Sequence, residues 1–345
     1  ECPNALGLLK YIEEKHPEYH VVCAGSLLGV KLAKGVSFPV GKVDFLNMQP
    51  MSFSEFLTAD ESGGLADYIR GIEKIEAIPG AFAEPLTEKL KTYFIVGGMP
   101  EAVASWAAER NIERVDQILS AILMSYDLDF SKHPASAETQ KTSLVWNSLP
   151  TQLSKENKKF IYKLIKDNAR AREYESSIQW LSAAAMIYRV NRVSGPGLPI
   201  AAYDDLSSFK LYASDVGLLR RLAKLSPSTV SLGDKIFTDF KGAFAENYIL
   251  AALSALFDAP LRYWSIQNPT YEVDFILQDH SRIIPIEVKS SGNVKSKGLK
   301  HFRQKYAEKT ELSLRFSLHG FHYQDGILNI PLFLADQTDR LLEKI

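Results

Sequence analysis

The chain has 345 residues, of which 46% are hydrophobic and 23% charged, and its formal net charge is -1. That length predicts roughly two to four domains, and the near-neutral balance excludes a globally basic nucleic-acid binder while leaving room for a local basic face. With only two cysteines, Cys2 and Cys23, there is no disulfide framework or cysteine zinc site, and no apolar run is long enough to span a bilayer. A cytoplasmic protein that avoids membranes is the expectation.

In chain order, hydrophobic periodicity predicts an amphipathic helix over 4–14 and a fully buried parallel strand over 20–24, with Cys23 in the core. One helix–strand unit does not make a doubly wound sheet, so the expectation is a longer parent with residues upstream. Residues 53–129 read as mainly helical, broken at Gly97-Gly98-Met99-Pro100, and 126–139 reads as a connection.

Residues 141–221 change character. Helices are predicted over 143–149, 157–166 and 172–185, then strands over 186–193 and 198–203 around Ser194-Gly195-Pro196-Gly197. Three helices followed by a hairpin is the order of a winged-helix domain, in which the third helix often enters the major groove. Lys158, Lys159, Arg172, Arg189 and Arg192 lie in the most basic part of the chain and are candidate phosphate contacts on DNA. The same charges also suit a solvated helix face or a protein-contact surface.

Beyond a strand at 209–212 and a helix at 215–219, a helix over 242–256 carries Glu246. A strand over 261–266 precedes Tyr271-Glu272-Val273-Asp274-Phe275-Ile276-Leu277 and Ile284-Pro285-Ile286-Glu287-Val288-Lys289, which read as two further strands. A basic helix over 296–308 and closing strands over 312–318 and 327–334 complete the pattern. Residues i and i+2 of a strand share a face, so Glu287 and Lys289 point the same way. Asp274 and Glu287 could then share a divalent cation through hard oxygen ligands, with Lys289 beside it to orient a water or balance phosphate charge. Salt bridges on strand edges are the plainer alternative.

Helix acid, strand acid and strand acid-x-lysine, in this order, resemble the PD-(D/E)XK nuclease superfamily. The resemblance implies Glu246, Asp274, Glu287 and Lys289 as catalytic residues and Asp274 and Glu287 as ligands of Mg²⁺. Val273 stands where many members carry proline. A second resemblance rests on Glu1-Cys2-Pro3-Asn4-Ala5-Leu6, Tyr19-His20-Val21-Val22-Cys23-Ala24-Gly25-Ser26, Ser37-Phe38-Pro39-Val40-Gly41-Lys42-Val43, Gln49-Pro50-Met51-Ser52-Phe53-Ser54-Glu55-Phe56-Leu57 and Tyr93-Phe94-Ile95-Val96-Gly97-Gly98-Met99-Pro100-Glu101. These stretches resemble a bacterial and archaeal family of AAA-type ATPases that ends in a domain of unknown function. That likeness implies Ser26 as a γ-phosphate sensor and ATP as a ligand of the full-length parent. No G-x-x-x-x-G-K-[ST] phosphate loop occurs in this sequence, so ATP is not expected to bind this chain well.

The resulting expectation is a multidomain α/β protein. Residues 1–57 would be the remnant of an AAA-type P-loop core, 58–140 a helical lid, 141–228 a winged-helix-like domain, and 229–345 a restriction-endonuclease-like α/β domain. The function expected is ATPase-linked DNA processing or sensing with metal-dependent phosphodiester hydrolysis. The alternative is a regulatory ATPase whose nuclease-like domain only binds a partner, either a protein or a second copy of the chain.

Overall fold

The computed structural model describes residues 5–23, 41–130, 136–155, 158–227, 241–267, 270–290, 296–318 and 320–345. Its organising element is an eight-stranded mixed sheet. The strands are β1 (Ile187–Val193), β2 (Asp204–Ala213), β3 (Arg262–Ile266), β4 (Tyr271–Asp279), β5 (Arg282–Val288), β6 (Ser313–Ser317), β7 (His322–Gln324) and β8 (Ile327–Pro331). Their spatial order is β2-β1-β3-β4-β5-β6-β8-β7. The β1–β3, β5–β6 and β6–β8 pairs are parallel, and the remaining pairs are antiparallel.

The helices are α1 (Ala5–Lys15), α2 (Phe53–Ala59), α3 (Gly63–Arg70), α4 (Gly80–Val96), α5 (Pro100–Glu109), α6 (Ile112–Phe130), α7 (Ser136–Leu153), α8 (Ala171–Ala183), α9 (Val216–Leu222), α10 (Lys241–Leu256), α11 (Lys297–Lys305) and α12 (Thr338–Leu342). The fold class is α/β, as expected. Among the described residues no helix is long and apolar enough to cross a membrane.

Two cores flank the sheet. Phe275, Leu277, Ile284, Ile286 and Leu314 face the larger one, together with Ala245, Tyr248, Ile249 and Leu253 of α10. Trp264, Val273, Ile276 and Ile283 face the other, against Phe302 of α11. A helix apolar on nearly every side must be enclosed on nearly every side, and α10 is buried without a break from Ala243 to Leu250. It lies between the sheet, the helices before it and the chain's last turns.

Two close backbone approaches, at Gly97 and Gly98, tie the helical region to this body and to its own first turn. Gly97 has φ 76°, and a Cβ there would stand 2.4 Å from Asp215 Oδ1. A Cβ at Gly98 would stand 2.3 Å from the Met51 carbonyl oxygen. The absence of side chains lets Met51 N–H donate to the Gly98 carbonyl at 2.7 Å and Gly98 N–H donate to Asp215 Oδ2 at 2.6 Å. Asp215 also caps α9 by accepting from Leu218 N–H. At the start of α2, Ser52 and Glu55 form a reciprocal capping box, and Ser54 N–H donates to buried Asp336 near the C-terminus.

Three expectations are corrected. The strand predicted over 20–24 is absent through Cys23: residues 20–23 are non-regular and exposed, Cys23 included, and Val22 is 93% exposed. A parallel strand needs flanking strands, and all eight described strands lie in 187–331. The helix predicted over 157–166 is only a 3₁₀ turn, Tyr162–Leu164. The strand predicted over 198–203 contains a 3₁₀ turn, Ile200–Tyr203, and pairing starts at Asp204. Pro196 and Pro199 cannot donate to a ladder, which delays the strand. The β1–β2 pair is therefore no free wing. It continues the C-terminal sheet, which runs unbroken across the boundary expected at 228.

Candidate functional site

The site forms where β4 and β5 separate. Their ladder ends at the pair Phe275–Ile286. Asp274 and Glu287 are the next residues outward. Asp274 Oδ2 accepts from the backbone N–H of Val288 at 2.8 Å, so a side chain replaces the missing ladder bond. On its other edge β4 is bulged: β3 pairs Arg262 with Ile276 but Trp264 with Val273, which sets Tyr263 opposite two residues, Asp274 and Phe275. Such a bulge re-aims side chains and resets the alternation. Val273 and Ile276, three apart, thereby face the same core.

Glu287 lies between Ile286 and Val288 of the larger core and is itself nearly buried. Its Oε1 pairs with Lys289 Nζ at 2.5 Å, as the i, i+2 spacing predicts. Its Oε2 is buried and has no hydrogen-bond partner. Arg315, the β6 residue opposite Glu287, is close enough to feel its charge. Asp274 is half-buried, and burial together with the charges of Glu287 and Glu246 pushes its carboxyl well above the usual range.

Glu246 reaches the site from α10. Its Oε1 accepts from Lys158 Nζ at 2.8 Å and its Oε2 from the Tyr212 hydroxyl at 2.9 Å, so both oxygens are engaged. Burial pushes Glu246 upward, but Lys158 and Lys210 outweigh it and hold the carboxyl below its ordinary value. Burial works against the charge of Lys158, and Glu246 overcomes it, raising the ammonium's pKa. Lys210, with its side chain 0% exposed, pairs with Glu272 and lies over the Tyr263 ring at 4.7 Å. Its pKa is raised too: burial opposes the charge, and Glu272 and Glu246 prevail.

The sequence-predicted quartet thus comes together, with Asp274 in electrostatic contact with Glu246 and Glu287, and Lys289 paired to Glu287. Sequence reasoning missed Lys210, Tyr212 and Glu272. Two signals were available: a lysine inside the apolar run Phe209-Lys210-Leu211-Tyr212, and the i, i+2 relation between Glu272 and Asp274.

The basic candidates are distributed differently from the expected face. Lys158 points into the acid cluster. Arg189 pairs with Glu175 at 2.6 Å and stacks over Phe209 at 4.2 Å, and Arg192 pairs with Asp205 across the β1–β2 ladder. Lys159 is half-buried and Arg172 is exposed on α8. Lys158, Arg189 and Arg192 are therefore matched by intramolecular carboxylates, the two arginines on β1, which lies inside the sheet. Ser26 lies outside the described residues.

Among the described residues no group of three or more His, Cys, Asp or Glu side chains is arranged to hold a metal ion. Asp274 and Glu287 offer a smaller donor set. Two carboxylates suit Mg²⁺, which keeps several waters and commonly takes one or two carboxylates plus substrate oxygens. The unpartnered Glu287 Oε2 is the observation that fits such an ion. A separate cavity of about 280 Å³, lined by Met51, Tyr93, Tyr188, Asp215, Tyr248 and Asp336 among others, does not include these acids.

Three family models match successive parts of the chain. Residues 1–57 match an AAA domain, 87–229 a domain of unknown function (DUF8612), and 241–334 another (DUF4143). The first and last support an AAA-type ATPase family with a C-terminal domain of unknown function. No curated protein and no solved structure matches the chain.

Proposed function

We propose that the chain belongs to an ATPase-linked DNA-processing protein, and that the fork between β4 and β5 is a metal-dependent phosphodiesterase site. The observation that carries this reading is the buried, unpartnered Oε2 of Glu287 beside Asp274, with the Lys289 ammonium adjacent. Asp274 and Glu287 would hold the cation. Once bound, a divalent cation supplies Lewis-acid polarisation of a phosphoryl oxygen. Lys289 keeps Glu287 in place and presents its remaining donors to a phosphate oxygen or a water. Lys158 and Tyr212 fix Glu246, and Lys210 fixes Glu272, so the acids are pre-oriented and do not have to be ordered by the substrate.

The test is cleavage of single- and double-stranded DNA with Mg²⁺ or Mn²⁺, comparing the parent chain with Asp274→Asn and Lys289→Met. Each replacement should lower the rate by about 10²-fold or more, the scale on which positioned acid–base and electrostatic groups act. Equal rates in parent and both variants would sink the assignment.

A second reading has its own support: Glu246, Glu272 and Glu287 each already have a lysine. A cluster neutralised from within suits a partner-binding module that has given up catalysis. Absence of metal-dependent cleavage by the parent, together with absence of Mn²⁺ binding, would favour it.

A further inference from the structure

The cluster is assembled from two parts of the chain. Glu246, Glu272, Asp274, Glu287 and Lys289 lie in the segment matched over 241–334, whereas Lys158, Lys210 and Tyr212 lie in the segment matched over 87–229. Lys158 precedes the first strand and reaches Glu246 88 positions later. Its side chain is 14% exposed and that of Glu246 5%, so the pair is shut away from solvent. The lysine passes over the first turn of α10 at Gly242, where a Cβ would stand 3.9 Å from its Nζ.

The ammonium is in hydrogen-bond contact with Glu246 and in electrostatic contact with Asp274. A divalent cation bridging the helix acid and the strand acid would need that same place. The lysine fills it with a fixed positive charge, while Tyr212 closes the other oxygen of Glu246. The buried Oε2 of Glu287, whose charge also acts on Asp274, has no partner. The cluster therefore has one cation position closed by a side chain and one left with an unspent acceptor.

We infer that Lys158 stands in for a second divalent cation, so that the site takes a single cation, at Asp274 and Glu287. This rests on the metal-site reading above, and the experiment separates the two. Mn²⁺ binding to the 345-residue chain is measured by calorimetry and by electron paramagnetic resonance, for the parent, Lys158→Met, and Lys158→Met combined with Glu246→Gln. The parent should bind a single Mn²⁺. Lys158→Met should gain a second, because Glu246 and Asp274 are then free to share it, and the double variant should return to a single ion.

Lys158→Met leaves a buried carboxylate without its counter-charge, and its melting is therefore followed with EDTA and with Mn²⁺. A variant unfolded or weakened in EDTA should be restored by Mn²⁺, the cation replacing the ammonium. Two ions in the parent, or a single ion in Lys158→Met with no rescue by Mn²⁺, overturns the inference and leaves the metal site standing. Absence of Mn²⁺ binding from every form overturns both.

Discussion

Replacing Lys210 by methionine isolates what the buried charges contribute to folding. The Lys210 side chain is 0% exposed, whereas its partner Glu272 keeps 23%. Methionine preserves the stem that crosses Tyr263 and deletes only the ammonium. Breaking a buried pair from one side costs about 3–5 kcal/mol, because the surviving charge is left uncompensated. Glu272 retains partial access to water, which places Lys210→Met near the lower end, about 3 kcal/mol. Removing the surviving charge as well, in Lys210→Met with Glu272→Gln, should recover about 2 kcal/mol of that loss, read as a coupling energy from the double-mutant cycle. Urea unfolding followed by circular dichroism and by tryptophan fluorescence measures both, and Trp264 on the strand beside β4 reports locally. A single variant within about 0.5 kcal/mol of the parent would refute the reasoning, since that is the range of an ordinary surface change.

Gly298→Ala should destabilise by about 1–3 kcal/mol or more, because a Cβ there would stand 1.8 Å from the Glu272 carbonyl oxygen, a backbone atom that cannot rotate away; thermal melting checks it. Asp205 is held down to about 2 by Ser207 and Arg192, from an ordinary 3.8. Its contribution is thus present above about pH 4 and fades as pH falls toward about 2, so the stability gap between parent and Asp205→Asn should shrink across that window in acid titrations. ATP should not be retained by the chain, which has no phosphate-loop motif, and equilibrium dialysis with ATP and Mg²⁺ measures this.

The acid pattern was legible because it is local. Asp274 and Glu287 lie on two adjacent strands and Lys289 directly follows the second, and strand alternation states which of them share a side. Glu246 was placed by helix periodicity in α10, two elements before β4. What escaped is non-local. The partners of Lys158 and Lys210 lie 88 and 62 positions away, and no periodicity reports who meets whom across such distances. Lys158 read as one of a run of exposed cations, yet its neighbour Phe160 is buried, and Phe160 N–H donates to the Phe209 carbonyl, drawing that stretch against β2. The β4 bulge was equally silent, since it depends on the register with β3. The strand expected over 20–24 is missing at 20–23 for the opposite reason: its apolar run was clear, but a strand is stable only beside others.

The parallel pairing of β1 with β3 also bears on how this chain can be divided. Residues 241–345, produced alone, would keep all the acids and lose Lys158, Lys210 and Tyr212. They would also expose β3, with Tyr263 and Trp264, as a bare edge able to capture a strand from another chain. Two segments that match separate families are therefore bound to one inheritance. A recombination event between them would part Glu246 on α10 and Glu272 on β4 from the lysines that neutralise them, while Glu287 would keep its own.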